Sequence, residues 1–178
     1  MEKKRLHQGL VQVYTGEGKG KTTCAFGLAL RAVGQGFRVF LIQFLKGQDT
    51  GELRAAQRLA PELTVRGFGR PGLVNLKKPA PEDIALAQEA LDLARQVIAA
   101  GEHDLVILDE INVALAYNLI PLAEVLEMVN ERPPWVEVVL TGRAAPLELI
   151  ECADLVTEMV PVKHYWEAGV KARRGIEW

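Results

Sequence analysis

Cysteine, histidine and aromatic residues are scarce in this sequence. Its 178 residues include two cysteines, Cys24 and Cys152. Two cysteines so far apart exclude a disulfide framework and a four-ligand zinc site, and they are typical of reduced thiols in the cytosol. The three histidines, His7, His103 and His164, form no recognisable Ser/His/Asp or Cys/His set. Nucleophilic catalysis by a serine or a cysteine is therefore not indicated.

The chain also lacks a marked net charge and a long apolar run. Its formal net charge of −2 argues against broad electrostatic binding to nucleic acid or to an anionic membrane. A transmembrane helix needs about 20 consecutive apolar residues, and no stretch approaches that length. The N-terminal sequence MEKKRLHQG is charged and has no apolar signal-peptide core, so we expect a soluble cytoplasmic protein.

What the sequence does contain is a regular alternation of apolar segments and helical patterns. Six segments predict strands: 9–15, 38–44, 63–68, 104–110, 136–142 and 154–160. Several are apolar almost throughout, which is typical of a parallel sheet covered by helices on both faces. This alternation indicates a doubly wound α/β fold, and the length suits one domain, spanning residues 1–178.

The clearest helix is predicted over residues 81–100. Pro81 suits its first turn and Gly101 can end it. The residues of its apolar stripe are Ile84, Ala87, Leu91, Ala94 and Ile98. The connection before it, 67–81, is long, rich in glycine and proline, and without clear periodicity. Such a segment is either a lid or binding loop or a solvated surface excursion.

The segment after the first predicted strand carries the strongest functional motif. Gly16–Thr22, GEGKGKT, lies between that strand and a predicted helix, which is the context of a P-loop. Glycines let successive N–H groups turn toward an anion, and the helix N-terminus adds partial positive charge. Lys21 then contacts phosphate oxygens and the Thr22 hydroxyl ligates Mg²⁺. The strict pattern has a glycine five residues before Gly20, where this chain has Thr15, so the loop is a variant.

The fourth predicted strand ends in two carboxylates, Asp109 and Glu110. In open α/β sheets the carboxyl ends of the strands bind ligands, and hard oxygen ligands suit Mg²⁺. Together with the P-loop, this pair predicts a magnesium–nucleotide site. Glu110 could also act as a base, so an ATPase, a small-molecule kinase and a group transferase all fit, as does a nucleotide-gated binding protein without chemistry.

Further polar residues follow other predicted strands. Gln43 and Lys46 end the second, and Arg143 follows the fifth in TGRAAP. At that edge of the sheet they are placed to reach phosphates or substrate carboxamides, and the alternative for each is a solvated surface position.

Five segments in order resemble the ATP:corrinoid adenosyltransferases of the CobA/CobO/BtuR family. They are YTGEGKGKTTCAFGLALRAVGQG, VFLIQFLKG, DLVILDEINVALAYNLIPLAEV, VVLTGRAAPLELIECADLVTEM and PVKHYWEAGVKARRGIEW. The resemblance covers nearly the whole chain and implies a single P-loop (RecA-like) domain with a mostly parallel sheet of about six strands. It also implies that a Co(I) corrinoid attacks C5′ of ATP and that inorganic triphosphate leaves.

The resemblance assigns site residues in three groups. The catalytic residues are Lys21, Thr22 and Glu110, and Mg²⁺ or Mn²⁺ is held by Thr22, Asp109 and Glu110. The residues assigned to binding ATP or the corrinoid are Gly16, Glu17, Gly18, Lys19, Gly20, Lys21, Thr22, Thr23, Arg31, Gln43, Phe68 and Arg143. The family further implies a homodimer and a flavoprotein that supplies electrons, with neither nucleic acid nor membrane as partner.

Three features of the chain are compared with the family pattern: the loop at Phe68, the C-terminal tail and the N-terminal segment. Family members often carry a Phe-x-Trp pair that excludes a lower axial cobalt ligand, whereas this chain has Phe68 in GFGRPGLV without a tryptophan. Either Phe68 acts alone or another apolar residue substitutes. The tail carries Tyr165 and Trp166, which with Phe68 are candidates for an apolar contact to the corrinoid. It either folds over the site or lines a subunit interface. A covering N-terminal helix found in some relatives is expected to be absent.

Overall fold

The fold was analysed in a computed structural model that describes residues 5–47, 49–72 and 74–177. Part of the charged N-terminal stretch, Leu73 of the long connection and Trp178 of the C-terminal motif lie outside the described residues.

Six strands form one sheet in which every neighbouring pair is parallel. They are β1 Val11–Thr15, β2 Val39–Phe44, β3 Leu63–Phe68, β4 Leu105–Asp109, β5 Glu137–Thr141 and β6 Leu155–Glu158. Their spatial order is β3-β2-β4-β5-β1-β6. The predicted α/β class and the six strands are confirmed, with each predicted segment containing one observed strand.

Helices connect the strands. They are α1 Lys21–Gly34, α2 Gly51–Ala56, α3 Pro81–Ala100, α4 Ile111–Ala116, α5 Leu122–Asn130 and α6 Leu147–Cys152. Short 3₁₀ turns occupy Gln57–Leu59 and Tyr165–Ala168. No helix in the described ranges combines the length and the hydrophobicity that a membrane crossing requires.

The central strands bury both of their faces, as their continuous apolar runs predict. In β4, Val106 and Leu108 pack with α3, α4 and α5, whereas Leu105 and Ile107 pack with α1 and α2. This alternation follows from the two-residue period of a strand. Helices therefore cover the sheet on both sides, and the carboxyl ends of the strands remain available for a site.

Helix α3 has the predicted bounds, and Gly101 ends it in the left-handed conformation with φ 59°. One residue of its predicted apolar stripe is misplaced: Ile84 is 43% exposed. The buried position in that first turn belongs to Asp83, whose carboxylate accepts a hydrogen bond from the Ala80 N–H at 2.9 Å. Asp83 thereby satisfies an N–H at the helix start that has no partner within the helix.

The first part of the connection before α3 is held by two sets of contacts. Arg70 donates two hydrogen bonds of 2.7 Å to the Asp83 carboxylate. Beside it, a Cβ on Gly47 would overlap the Gly69 carbonyl, and one on Gly69 would overlap the Lys46 backbone. The two glycines therefore let the chain after β2 lie directly against the chain after β3.

Candidate functional site

The glycine loop between β1 and α1 has the backbone of an anion site. Gly16 and Gly20 take φ values of 91° and 122°, which other residues rarely adopt. The Gly18 N–H donates to the Met159 carbonyl at 2.6 Å, so the chain after β6 holds the loop from one side. Lys21 opens α1, and its helix N-terminus faces the cleft described below.

The structure gives a reason for the threonine at the first position of the motif. The Thr15 hydroxyl oxygen accepts a hydrogen bond from the Ala145 N–H at 3.2 Å. The Thr15 carbonyl accepts from the Met159 N–H at 2.9 Å. Thr15 thus joins the phosphate loop to the turn after β5 that carries Arg143, a connection that a glycine side chain cannot make.

Lys21 is folded into its own loop. Its ammonium donates to the carbonyl oxygens of Gly16 and Gly18 at 2.5 and 2.7 Å, and the residue is 8% exposed. Burial lowers the pKa of Lys21 because it disfavours the charged form. To bind a nucleotide, this ammonium has to exchange the two carbonyls for phosphate oxygens.

Asp109, the last residue of β4, lies fully buried beneath the cleft and accepts four hydrogen bonds. One carboxylate oxygen accepts from the Thr22 hydroxyl at 2.9 Å and the Thr141 hydroxyl at 2.7 Å. The other accepts from the Gln43 amide at 3.0 Å and the Lys46 ammonium at 2.7 Å. Burial opposes its charge, but Lys46 and these donors together lower the pKa of Asp109.

Glu110 begins the turn after β4 in a strained conformation. Its φ is 65°, and its N–H donates to the Thr141 hydroxyl at 3.1 Å. Burial raises the pKa of Glu110, although its carboxylate is 3.8 Å from the Lys46 ammonium. Backbone strain of this kind costs of the order of 1–3 kcal/mol and is common at functional sites.

The oxygens at this position fit a magnesium ion that a nucleotide brings with it. Thr22 supplies a hydroxyl and Asp109 a carboxylate, and both already accept a hydrogen bond from the same cation, Lys46. Mg²⁺ at nucleotide sites takes one or two protein oxygens and completes its shell with phosphates and water. Within the described ranges, no cluster of three or more His, Cys, Asp or Glu residues is placed to hold a metal by itself.

These groups border a cleft of about 490 Å³ at the carboxyl edge of the sheet. The predicted site residues that line it are Glu17, Gly18, Lys19, Gly20, Lys21, Thr22, Thr23, Gln43, Glu110 and Arg143. Four residues of the C-terminal tail also line it: His164, Tyr165, Ile176 and Glu177. Of the two positions predicted for the tail, the structure shows the one over the site.

The tail is held by Lys19 of the phosphate loop. The Lys19 ammonium donates to the Tyr165 hydroxyl and to the Glu177 carboxylate, both at 2.8 Å. Arg173 and Tyr165 also donate to Glu177. Arg143 pairs with Glu17 of the phosphate loop at 3.3 Å, and both side chains are exposed.

Two predicted contacts lie away from the cleft. Arg31 is in the last turn of α1 and lines a separate, smaller cavity beside Leu28 and Phe37. Phe68 ends β3 opposite Phe44 and packs partly buried against the core. The structure brings neither to the lining of the cleft.

Some residues of the site were missed or left open by the sequence reasoning. Thr141 and Glu177 were not assigned a contact, Tyr165 was a candidate for the corrinoid contact, and Lys46 was left between a site and a surface position. The one available signal was position: Thr141 and Lys46 each lie at or just after the carboxyl end of a predicted strand. Nothing local marks the contact of Glu177 with the phosphate loop, because Lys19 is 158 residues away in sequence.

Comparison with known proteins gives one consistent result. Residues 7–178 match the family described as "ATP:corrinoid adenosyltransferase BtuR/CobO/CobP". A protein of Escherichia coli K12 named corrinoid adenosyltransferase is 40% identical over 172 residues, which is 96% of this chain and 86% of that protein. One of the same name from Pseudomonas aeruginosa is 41% identical over 98% of this chain and 86% of its own length.

A third relative is the Salmonella typhimurium LT2 protein named corrinoid adenosyltransferase CobA. It is 38% identical over 96% of this chain and 86% of its own length. The family match spans the phosphate loop, Asp109 with its hydrogen-bond partners, and the tail. This chain therefore belongs to the ATP:corrinoid adenosyltransferase family.

Proposed function

We propose that this protein transfers the 5′-deoxyadenosyl group of ATP to the cobalt of a reduced corrinoid and releases inorganic triphosphate. The observation that carries the proposal is the family match over residues 7–178, because the family's description states both substrates. The cleft supports it with a glycine loop, three lysines and a buried carboxylate at one edge of the sheet.

The reaction is a displacement at carbon. The electron pair of Co(I) forms the bond to C5′ of ATP, the bond from C5′ to its oxygen breaks, and that electron pair leaves with triphosphate. The cobalt becomes formally Co(III). A Co(I) nucleophile carries no proton, so no side chain has to act as a general base. The protein instead aligns the two substrates, neutralises the leaving triphosphate and excludes water.

The phosphate loop and its lysine perform the neutralisation in this proposal. The N–H groups of residues 16–22 bind the triphosphate, except that of Gly18, which donates to the Met159 carbonyl. Lys21 leaves the Gly16 and Gly18 carbonyls to contact the triphosphate oxygens. Because the reaction occurs at the ribose, the triphosphate occupies the loop and the sugar faces the corrinoid.

Thr22, Asp109 and Glu110 would hold the nucleotide's Mg²⁺ or Mn²⁺. When bound, such an ion withdraws charge from the leaving triphosphate. Asp109 orients the Thr22 hydroxyl through the 2.9 Å hydrogen bond. Thr141 fixes Asp109 and the Glu110 backbone together, since its hydroxyl contacts both.

We propose that Gln43, Arg143 and Phe68 contact the corrinoid. Gln43 and Arg143 line the cleft and can reach carboxamides or phosphates. Phe68 ends its strand one register position beyond Gln43 on the neighbouring strand, at the same edge of the sheet. We also propose Thr23 and Arg31 as nucleotide contacts. The proposal for Arg31 rests on the family resemblance alone.

The partners and setting follow from the chemistry and the family. We propose that a flavoprotein reduces Co(II) to Co(I), because the sequence carries no flavin or iron–sulfur motif of its own. We further propose a homodimer in the cytoplasm, with the chemistry carried by one domain at residues 1–178.

Product analysis tests the proposed function. Incubation with ATP, Mg²⁺ and a chemically reduced corrinoid is expected to give inorganic triphosphate and a light-sensitive cobalt–carbon bond in equal amounts. A P-loop ATPase or small-molecule kinase using Glu110 as its base would give ADP. A binding protein without chemistry would give neither. ADP and phosphate as the sole products, formed without corrinoid, would refute the proposal.

A further inference from the structure

Lys46 occupies the position that a nucleotide-bound metal is expected to take. Its ammonium lies 3.0 Å from the Thr22 hydroxyl and 2.7 Å from Asp109 Oδ2. Glu110 is 3.8 Å from the same ammonium. These are the three residues to which the proposed function assigns the metal, so one lysine hydrogen-bonds to two of them and lies close to the third.

The backbone around Lys46 is fixed by its neighbours. Leu45 takes a left-handed conformation with φ 60°, which turns the chain back at the end of β2. The next residues lie against Gly69 and Arg70, where the two glycines allow close contact. The main chain of Lys46 is thus held, while its side chain is 28% exposed and borders the cleft. The ammonium can therefore move without rearrangement of the fold.

Electrostatic repulsion disfavours the Lys46 ammonium and a divalent metal ion at the same oxygens. Asp109 is fully buried, and a buried carboxylate requires a charged or hydrogen-bonded partner. Lys46 meets that requirement when no nucleotide is bound. A divalent ion on the same oxygens would lie within a few ångströms of the ammonium, where like charges repel strongly because water screens them little.

We propose that Lys46 is an exchangeable counter-ion: it holds Thr22 and Asp109 in the nucleotide-free protein and moves onto a phosphate oxygen when the metal–triphosphate enters. This inference rests on the proposed function for the identity of the leaving group. Lys46 thereby serves as a positioning residue for the metal ligands first and as a contact to the triphosphate afterwards.

Two consequences follow for binding. Metal alone should bind weakly, because it has to displace the ammonium from its 2.7 Å contact with the buried Asp109 carboxylate. Metal and triphosphate together should bind cooperatively, because the triphosphate offers the displaced ammonium a new partner. Removing the ammonium should therefore change the two affinities in opposite directions.

The test compares the wild type with Lys46→Met, a neutral side chain of similar length. Mn²⁺ binding without nucleotide is measured from the loss of the free-ion EPR signal. We expect Lys46→Met to bind Mn²⁺ about tenfold more tightly, the scale of one charge-assisted interaction. Inorganic triphosphate binding with Mg²⁺, measured by calorimetry, should weaken about tenfold. Lys77→Met, at an exposed position of the connection before α3, is the matched control. It should change neither the Mn²⁺ affinity nor the triphosphate affinity.

Circular dichroism confirms the fold of each variant. If Lys46→Met does not fold, Lys46→Gln tests the same point, because its amide can still donate to a neighbouring oxygen without carrying charge. Equal or weaker Mn²⁺ binding in the folded variant would overturn the proposal, as would unchanged triphosphate affinity. Neither assay contains corrinoid. A failure of adenosyl transfer in the product analysis is therefore distinguishable from a failure of the counter-ion exchange.

Discussion

Asp109 is buried beneath the cleft, and its carboxylate joins α1, β2 and β5 by accepting a hydrogen bond from a side chain of each. The acidic pair after an apolar strand indicated carboxylates at the ligand-binding edge. It did not indicate that Asp109 would be buried while Glu110 borders the cleft. That difference depends on register: Gln43 lies directly beside Asp109 in the parallel pair of β2 and β4. Register between distant strands is not readable from local pattern.

Lys21→Ala tests the proposed role of the phosphate-loop lysine. The loss of this positive group should lower kcat about 10²–10³-fold, the usual cost of one group that stabilises developing charge. Corrinoid binding should be nearly unchanged, because Lys21 bonds only to its own loop in the described contacts. Steady-state kinetics with reduced corrinoid checks both statements. A variant that keeps kcat and loses corrinoid affinity would contradict the assignment.

Glu110→Gln separates adenosyl transfer from base-catalysed phosphoryl transfer. We expect the variant to need more Mg²⁺ for its half-maximal rate but to retain a rate within about tenfold at saturating Mg²⁺, a change in barrier of about 1.4 kcal/mol. Removing a general base would instead cost about 10²–10⁴-fold at any Mg²⁺ concentration. Rates measured across a Mg²⁺ titration decide between the two.

At the scale of elements, the phosphate loop, the tail and the connection before α3 enclose the cleft. The loop was recognisable because its glycines and lysine stand at a strand–helix junction. The sequence allowed two positions for the tail, over the site or at a subunit interface, because its contacts with Lys19 join residues far apart in the chain. The connection was left between a lid and a solvated excursion, and the Arg70–Asp83 pair shows that its first part is anchored to α3.

Glu177→Gln should release the tail from the phosphate loop. The carboxylate accepts hydrogen bonds from Arg173 and from Lys19, and these donors lower its pKa. The variant is expected to exchange amide hydrogens faster in residues 164–177, as measured by mass spectrometry. Glu167→Gln, an exposed acid of the same tail, should not. Equal exchange in both variants would show that Glu177 does not hold the tail.

The same contact has a definite pH dependence. Because the pKa of Glu177 is lowered in the folded protein, its contribution is present above the ordinary glutamate value and is lost as pH falls through the lowered one. The Arg173 amide, which donates to Glu177 at 2.7 Å, should therefore titrate by NMR with a midpoint below the ordinary value of about 4.3. A midpoint at or above that value would contradict the contact.

Asp83→Ala tests the anchor between α3 and the connection before it. The substitution removes the hydrogen bond from the Ala80 N–H and both hydrogen bonds from Arg70. The free energy of unfolding should fall by about 2 kcal/mol, combining a lost helix cap with lost charged hydrogen bonds. Denaturant unfolding measures this free energy. The control Glu89→Ala, on the exposed side of α3, should change the free energy of unfolding little.

At the scale of the whole molecule, the alternation of apolar runs and helical patterns was enough to predict the class and the strands. Runs without polar alternation indicated burial on both faces, and the core on each side of the sheet confirms it. The edge strands are exceptions: β3 buries Leu63 alone, and β6 exposes all four of its residues. The sequence of β6 resembles that of the buried strands, so local pattern could not separate an edge from the centre.

The central claim is that the carbon of the ribose, and not a phosphorus atom, is the point of transfer. The most direct test is ¹³C and ³¹P NMR after reaction of the reduced corrinoid with ATP labelled with ¹³C at C5′. Our account predicts that the labelled carbon becomes bonded to cobalt while intact inorganic triphosphate appears in equal amount. Labelled carbon that stays in ADP, with no triphosphate released, would contradict it.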